Sequence, residues 1–145
     1  NIDFSIVRPS AVYGPTDMNN RVTQIFLDKA LKNEIINIQG KDEKLDFTYV
    51  KDIANGFYLA AIKMGGKNKT FNITYGKAQK LINYVEILKK YFPNLKYKIT
   101  ARDKFRPRRG TLSIKRAKKY IGYSPKFSLN KGLSEYIKFK KKYES

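Results

Sequence analysis

The chain has 145 residues, with 31 Lys and Arg against 12 Asp and Glu, a formal net charge of +19, and no His, Cys or Trp. This composition excludes a disulfide scaffold, the usual zinc and iron–sulfur sites, a Cys nucleophile and a His general base. Any acid–base chemistry must therefore rely on Asp, Glu, Lys or Tyr.

Hydrophobic periods of two and of 3.6 residues alternate along the chain and are separated by Gly and Pro, which predicts an α/β fold. The predicted elements of the first half are a strand at 3–8, a loop at 10–20, a helix at 21–32, two short strands at 35–39 and 44–49, and a helix at 51–64. For the segment at 44–49, the alternative is a largely irregular conformation. Those of the second half are a strand at 70–74, a helix at 81–92, a strand at 97–100, and helices at 114–121 and 128–140.

The length suits one domain, and no apolar run approaches the ~20 residues that a bilayer-spanning helix needs. The first residues also lack the pattern of a signal peptide, so we expect a cytoplasmic protein with no membrane partner. Because the chain starts without Met and almost inside a strand, we expect it to be part of a longer polypeptide.

Positive charge is concentrated in the second part of the chain. Residues 1–88 carry a net charge of +3, and residues 89–145 carry +16. This asymmetry predicts an anionic partner for the second part. The alternative is compositional, because 24 Lys against 7 Arg, with abundant Asn and Ile, is typical of an AT-rich coding sequence.

Four short motifs follow one another along the chain: residues 8–15 (RPSAVYGP), residues 45–54 (LDFTYVKDIA), residues 71–73 (FNI), and residues 106–118 continued by 122–126 (GYSPK). In this order and spacing they resemble the C-terminal part of the NAD-dependent epimerase/dehydratase family. Its members are extended short-chain dehydrogenases/reductases that act on nucleotide sugars. The resemblance covers nearly the whole chain.

The resemblance implies a C-terminal fragment of a Rossmann-type enzyme, forming a single substrate-binding domain over residues 1–145. Residues 1–20 would be a late Rossmann strand and active-site loop, and residues 21–145 a small mixed α/β substrate-binding region. The N-terminal NAD-binding part would be absent. The family cofactor, NAD or NADP, would be bound mainly by that missing part.

The loop after the first strand passes the nicotinamide in the family, at the sheet edge where open parallel sheets bind ligands. The resemblance therefore implies cofactor contacts from Pro9, Ser10, Val12 and Tyr13, with Tyr13 lining the cleft. The alternative is that the Pro and Gly residues of this segment only shape a turn.

The arginine-rich segment is the strongest candidate for substrate binding. Four of the seven Arg lie between residues 102 and 109, which a coding bias toward Lys does not explain. A pyrophosphate suits planar, permanently charged guanidinium groups, and the family uses Arg here against the substrate diphosphate. We expect Arg109 first, Arg106 second and Arg108 with them to bind substrate. The alternative is a solvated surface.

The resemblance implies five further substrate contacts: Ala11, Arg21, Gln39, Lys44 and Asn72. Arg21 begins a helix whose first turn faces the nucleotide, and Gln39 lies on the strand that borders the base. Alternatively, Arg21 is solvated and Asn72 makes a local turn bond. The chain departs from the family at two positions. The family often has Asn where this chain has Ala11, and it often has Arg where this chain has Leu45, in which case Lys44 would supply the missing charge.

Two acidic residues of the second motif are better explained by architecture than by binding. Asp46 is predicted to cap neighbouring backbone amides, and Asp52 lies near a helix start, where the macrodipole favours an anion.

No catalytic residue is predicted in this chain. It has neither a Gly-rich cofactor loop nor a credible Tyr/Lys pair, because Tyr136 and Lys140 lie on a terminal helix with Tyr136 on the apolar face. We therefore expect the chain alone to be inactive. The whole enzyme would oxidise a nucleoside-diphosphate sugar with NAD and then re-reduce it or eliminate water. The resemblance also implies a homodimer of the complete enzyme.

Two other functions stay open from the sequence. Residues 89–145 interleave Lys with aromatic residues and would suit a basic nucleic-acid-binding module. The chain could also be a structural fragment with no ligand.

Overall fold

The computed structural model describes residues 2–143 and confirms the α/β class. The strands are β1 (Ser5–Pro9), β2 (Val12–Tyr13), β3 (Ile36–Gln39), β4 (Lys44–Leu45), β5 (Thr48–Tyr49), β6 (Lys69–Ile73), β7 (Gln79–Lys80) and β8 (Tyr97–Thr100). The helices are α1 (Val22–Leu31), α2 (Val50–Ile62), α3 (Leu81–Tyr91), α4 (Lys115–Ile121) and α5 (Leu129–Tyr143), with a 3-10 turn at Met64–Gly66. Each predicted helix is present, with ends that differ by up to three residues.

Three of the four strand pairs are parallel. β1 pairs with β6 from Ser5↔Lys69 to Pro9↔Ile73, β2 pairs with β5, and β3 pairs with β8 from Ile36↔Tyr97 to Gln39↔Thr100. The fourth pair, β4 with β7, is antiparallel. Because β1 and β6 run in the same direction, their carboxyl ends, Pro9 and Ile73, lie at the same end of the pair.

The predicted strand at 44–49 is wrong as a single element. Its first two residues pair with β7 and its last two with β2. The strand is divided because its two ends pair with different partners. Asp46 and Phe47 lie between the two pieces and are buried, at 1% and 3% exposure. The predicted loop at 10–20 likewise contains β2, which the sequence did not indicate.

Two hydrophobic cores hold the elements together. The larger lies among α1, β3, α3 and α5 and includes Leu27, Ile38, Leu88 and Tyr136. Tyr136 is fully buried, which confirms that it is a core tyrosine. The smaller core joins α2 and α4 to β6 and is centred on Phe71.

One edge of β1 has no strand partner among the described residues, where β1 pairs with β6 alone. Beside it, a groove of about 340 Å³ separates the start of β1 from α2. Its lining includes Phe4, Phe57 and Ile62, each about half exposed.

None of the helices described combines the length and the apolar character needed to cross a membrane.

Candidate ligand-binding cleft

A cleft of about 490 Å³ opens where several loops meet. Its walls are the chain after β1, the first turn of α1, the end of β3, strand β4 and the segment 102–109. Six of the eight residues predicted to bind substrate line it, namely Ala11, Arg21, Gln39, Lys44, Arg106 and Arg109. These residues are up to 98 positions apart in the sequence, so the fold, and not local proximity, brings them together.

Five cations and two acids line the cleft, and the acids are already paired. Glu43 accepts from the Arg102 guanidinium at 2.5 Å, and the Asp103 carboxylate lies 3.4 Å from the Arg106 Nε. The other three cations are Arg21, Lys44 and Arg109.

No carboxylate among residues 2–143 forms an ion pair with Arg21, Lys44 or Arg109. Arg21 belongs to one wall of the cleft and Arg109 to the segment on another. The cleft therefore presents a surplus of positive charge from separate walls, which suits a multiply charged anion.

Part of the lining is apolar. Val12, Val22, Leu45 and Leu81 contribute from four different elements or loops. Apolar walls with a few charged groups are typical of sites that take a small organic molecule. The lining thus suits a small organic ligand with both an anionic part and an uncharged part.

The Asp46 carboxylate anchors the chain that follows the arginine-rich segment. It accepts from the Leu112 amide at 3.1 Å and from the Thr74 hydroxyl at 3.0 Å. The amides of Gly76 and Lys77 donate to its other oxygen, at 3.0 and 3.2 Å. The prediction that Asp46 caps backbone amides is confirmed, although these amides belong to two distant segments.

Neighbouring contacts fix the same region. The Ala78 amide donates to the Thr111 hydroxyl at 2.9 Å, and the Arg102 guanidinium donates to the Arg106 carbonyl. Residues 102–112 are therefore tied at the start by a guanidinium and at the end by Asp46. This leaves the arginines between them beside the cleft.

Asp52 plays a comparable structural part at the other end of the second motif. It lies in the first turn of α2 and is 3% exposed. Its carboxylate accepts from the backbone amides of Lys126 and Phe127 at 2.8 and 2.9 Å. It thus holds the segment that leads into α5, in addition to its favourable place near the helix N-terminus.

The prediction that Tyr13 lines the cleft is wrong. Its side chain is 1% exposed, and its hydroxyl donates to the Leu129 carbonyl at 3.4 Å. The ring packs against Phe47, Tyr49 and Tyr84. Burial raises the pKa of Tyr13 well above its ordinary value, so this phenol stays protonated and serves the core.

The other residues predicted to contact cofactor remain accessible. Pro9 is exposed at the end of β1, and Ser10 and Val12 are half-buried. Ala11 between them adopts a positive φ of 41°, so the chain bends sharply as it leaves the strand. Val12 itself lines the cleft.

Two predicted substrate contacts lie outside the cleft. Asn72 is in β6, where its side-chain amide donates to the Ser113 carbonyl at 3.1 Å; it therefore tethers the chain before α4. Arg108 lines a second cavity behind the turn at residues 40–43. Its neighbours Arg106 and Arg109 face the cleft, because an irregular segment does not present successive side chains to one side.

Sequence reasoning missed Glu43 and Arg102 as cleft residues. Arg102 is part of the arginine cluster, so clustering was a usable signal. Glu43 lies in a polar turn and carries no signal of its own, because its role depends on contact with Arg102 across 59 positions.

The model of the NAD dependent epimerase/dehydratase family matches residues 1–74. An uncharacterized protein of Methanocaldococcus jannaschii is 33% identical over 132 residues, covering 86% of this chain and 37% of that protein. UDP-glucuronic acid decarboxylase 3 of Arabidopsis thaliana is 28% identical over 137 residues, covering 91% of this chain and 39% of the relative.

A similar solved structure is UDP-glucose 4-epimerase of Thermotoga maritima with UDP-glucose. Its TM-score is 0.87 at 28% identity, covering 99% of this chain and 48% of that one. This chain therefore spans less than half the length of the relatives it matches.

Proposed function

Because the chain belongs to the NAD dependent epimerase/dehydratase family, we propose that its cleft holds a nucleoside-diphosphate sugar for hydride transfer at the sugar ring. One observation carries the proposal. Arg21, Lys44 and Arg109 face one cleft without carboxylate partners among the described residues. A diphosphate places two negative charges next to each other, and separate cationic walls can contact both.

The role proposed for these residues is positioning. Guanidinium groups that bind the diphosphate would fix the position of the sugar relative to the chain that follows β1. Correct placement of the reactants supplies a large part of an enzyme's rate enhancement. Val12, Leu45 and the other apolar walls would exclude water from the uncharged part of the ligand. The relatives named above include enzymes of UDP-sugars, which supports this ligand class.

The chemistry that a bound nicotinamide cofactor would supply here is reversible hydride transfer at the sugar ring. The residues present fit one side of such a cofactor. Pro9 is exposed at the carboxyl end of a strand in a parallel pair, and Ser10 and Val12 beside it are not fully buried. We propose that these three residues border the nicotinamide and that the rest of the site belongs to the remainder of a longer protein.

We further propose that this chain alone does not turn over. Its one Tyr-x-x-x-Lys spacing does not form an accessible pair, because Tyr136 is fully buried and Lys140 forms an ion pair with Asp28 at 2.9 Å. A mixture of the chain with a UDP-sugar and NAD should leave the UDP-sugar unchanged when the reaction mixture is separated by chromatography.

Calorimetric titration with UDP-glucose and UDP-glucuronic acid tests the binding role. We expect saturable binding that Arg109→Ala weakens at least about tenfold, since a charge-assisted hydrogen bond contributes about 1.5–3 kcal/mol. Lys104→Ala is the matched control, because Lys104 is exposed on the same segment and lines neither cavity.

Two results would contradict the proposal. One is an absence of saturable binding by either UDP-sugar. The other is an affinity for an arbitrary single-stranded RNA that equals the affinity for the UDP-sugars and falls steeply as salt is added. That result would instead support the nucleic-acid-binding module.

A further inference from the structure

A second cavity of about 490 Å³ lies behind the cleft. It is formed by the turn at residues 40–43, the end of β8 and the arginine-rich segment. Glu43, Lys44, Arg102 and Arg109 border both spaces, whereas Lys41 and Arg108 border only the second. The two spaces are therefore back to back and share one charged wall.

The wall between them is built on a turn that requires glycine. Gly40 has a φ of +83°, and a Cβ atom there would lie 2.9 Å from the Glu43 Cγ and 3.1 Å from the Arg102 Cβ. The Gly40 amide donates to the Thr100 carbonyl at 3.0 Å, and the Glu43 amide donates to the Gly40 carbonyl at 3.2 Å. These contacts hold the turn against the end of β8, so the backbone of the turn that lines the second cavity is held in place.

Cations outnumber acids in this cavity, five to two. Both acids are paired: Glu43 with Arg102, and Asp42 with Lys80 at 2.7 Å. The Lys80 hydrogen bond and charge lower the pKa of Asp42. Lys41, Lys44, Arg108 and Arg109 form no ion pair within residues 2–143.

An apolar side chain completes the lining. Ile99 in β8 is 48% exposed and borders the cavity. Guanidinium and ammonium groups around one concave space suit a phosphoryl group, and the isoleucine offers a surface for an uncharged part of the same molecule.

We propose that this second cavity is a separate binding site for a phosphorylated small molecule. Lys41 and Arg108 contact the phosphoryl group at this site alone, and Arg109 lies between the two sites. The proposal does not depend on what occupies the cleft, although the shared wall means that ligands in the two sites compete for Arg109.

Backbone amide NMR shifts can separate the two sites. Inorganic pyrophosphate is titrated into the chain at constant ionic strength, with sodium sulfate as the control anion, first alone and then with UDP at saturation. We expect the Gly40, Lys41 and Ile99 amides to shift in both titrations. The Val22 and Thr23 amides, which report on the cleft, should shift with pyrophosphate only when UDP is absent.

Matched variants of one segment then assign the residues. Arg108→Ala should weaken the response of the Gly40 and Lys41 amides at least about tenfold, as expected for loss of a charge-assisted hydrogen bond. Arg106→Ala should weaken only the response of the cleft amides, and Lys104→Ala should change neither by more than about twofold.

Three outcomes would overturn the proposal: no shift of the Gly40 and Lys41 amides, an equal shift with sulfate, or a loss of every pyrophosphate response once UDP is bound. The last would mean that both spaces belong to one ligand site. Failure of UDP to bind would contradict the proposed function instead, and the titration with pyrophosphate alone would still test the second site.

Discussion

The Asp46 carboxylate accepts a hydrogen bond from the Leu112 amide at 3.1 Å, across 66 positions of sequence. Asp46 is 1% exposed, and its two oxygens take four hydrogen bonds in total. A buried charge therefore decides where the chain runs after the arginines.

We expect Asp46→Asn to lower the free energy of unfolding by about 2–4 kcal/mol, because an amide has one acceptor oxygen and leaves buried donors unpaired. Urea unfolding followed by circular dichroism measures this. Asp42→Asn is the control, since Asp42 is exposed and its ion pair is on the surface. A variant as stable as the parent chain would show that the four hydrogen bonds do not hold the segment.

Gly132 in α5 is expected to resist replacement by alanine. Alanine favours a helix interior by about 0.5–1 kcal/mol, but a Cβ atom here would lie 2.2 Å from the Tyr13 hydroxyl oxygen and 3.0 Å from the Tyr49 Cδ2. Overpacking of this kind costs about 1–3 kcal/mol, so Gly132→Ala should lower the melting temperature. Gly110→Ala should leave it unchanged, because nothing lies within 4 Å of that position. Equal melting temperatures for the two variants would refute the steric argument.

The ion pair between Lys140 and Asp28 joins α5 to α1 at 2.9 Å. The Lys140 side chain is 8% exposed and that of Asp28 is 33% exposed. Asp28→Asn removes the negative charge that faces the buried Lys140 ammonium, which should cost about 2 kcal/mol of unfolding free energy after allowance for the partly exposed Asp28. Chemical denaturation provides the value. Glu34→Gln changes an exposed residue that forms no ion pair within residues 2–143, and it should cost less than about 0.5 kcal/mol.

Alkaline pH should unfold the chain through its buried tyrosines. Burial raises the pKa of Tyr13, Tyr49, Tyr84 and Tyr123 above the ordinary value of 10.0. Above that pH the unfolded state releases protons that the folded state keeps, so stability present below pH 10 declines as pH rises further. Absorbance at 295 nm should show these phenols ionising together with the loss of the circular dichroism signal. Ionisation of all eleven tyrosines near pH 10 in a folded chain would contradict this.

Local pattern was enough to predict most elements. The strand at 97–100 has the predicted bounds, and α3 ends one residue before the predicted Phe92, ahead of Pro93. These elements depend on alternation, helical spacing and a proline, which are all local. The split between β4 and β5 depends on partners at Gln79–Lys80 and Val12–Tyr13, which no local pattern identifies.

The same limit applies to the candidate site. Clustering pointed to the arginines, and the fold does bring Arg106 and Arg109 to the cleft. The clustering of arginines in the sequence could not show that Arg108 borders a different cavity, because the direction of the segment depends on Asp46, which is far away in sequence. The sequence pattern also could not predict that Tyr13 is buried. The hydroxyl of Tyr13 donates to the carbonyl of Leu129, which lies at the start of α5, 116 positions later.

The open edge of β1 has a consequence for handling the isolated chain. A strand edge whose backbone groups lack partners is a template for pairing with another chain, and exposed rings such as Phe4 and Phe57 strengthen the attraction. Mutual repulsion between molecules of charge +19 opposes this pairing. Because about 0.1 M salt already screens charges beyond roughly 10 Å, the chain should remain dispersed in dilute buffer and precipitate as ionic strength rises.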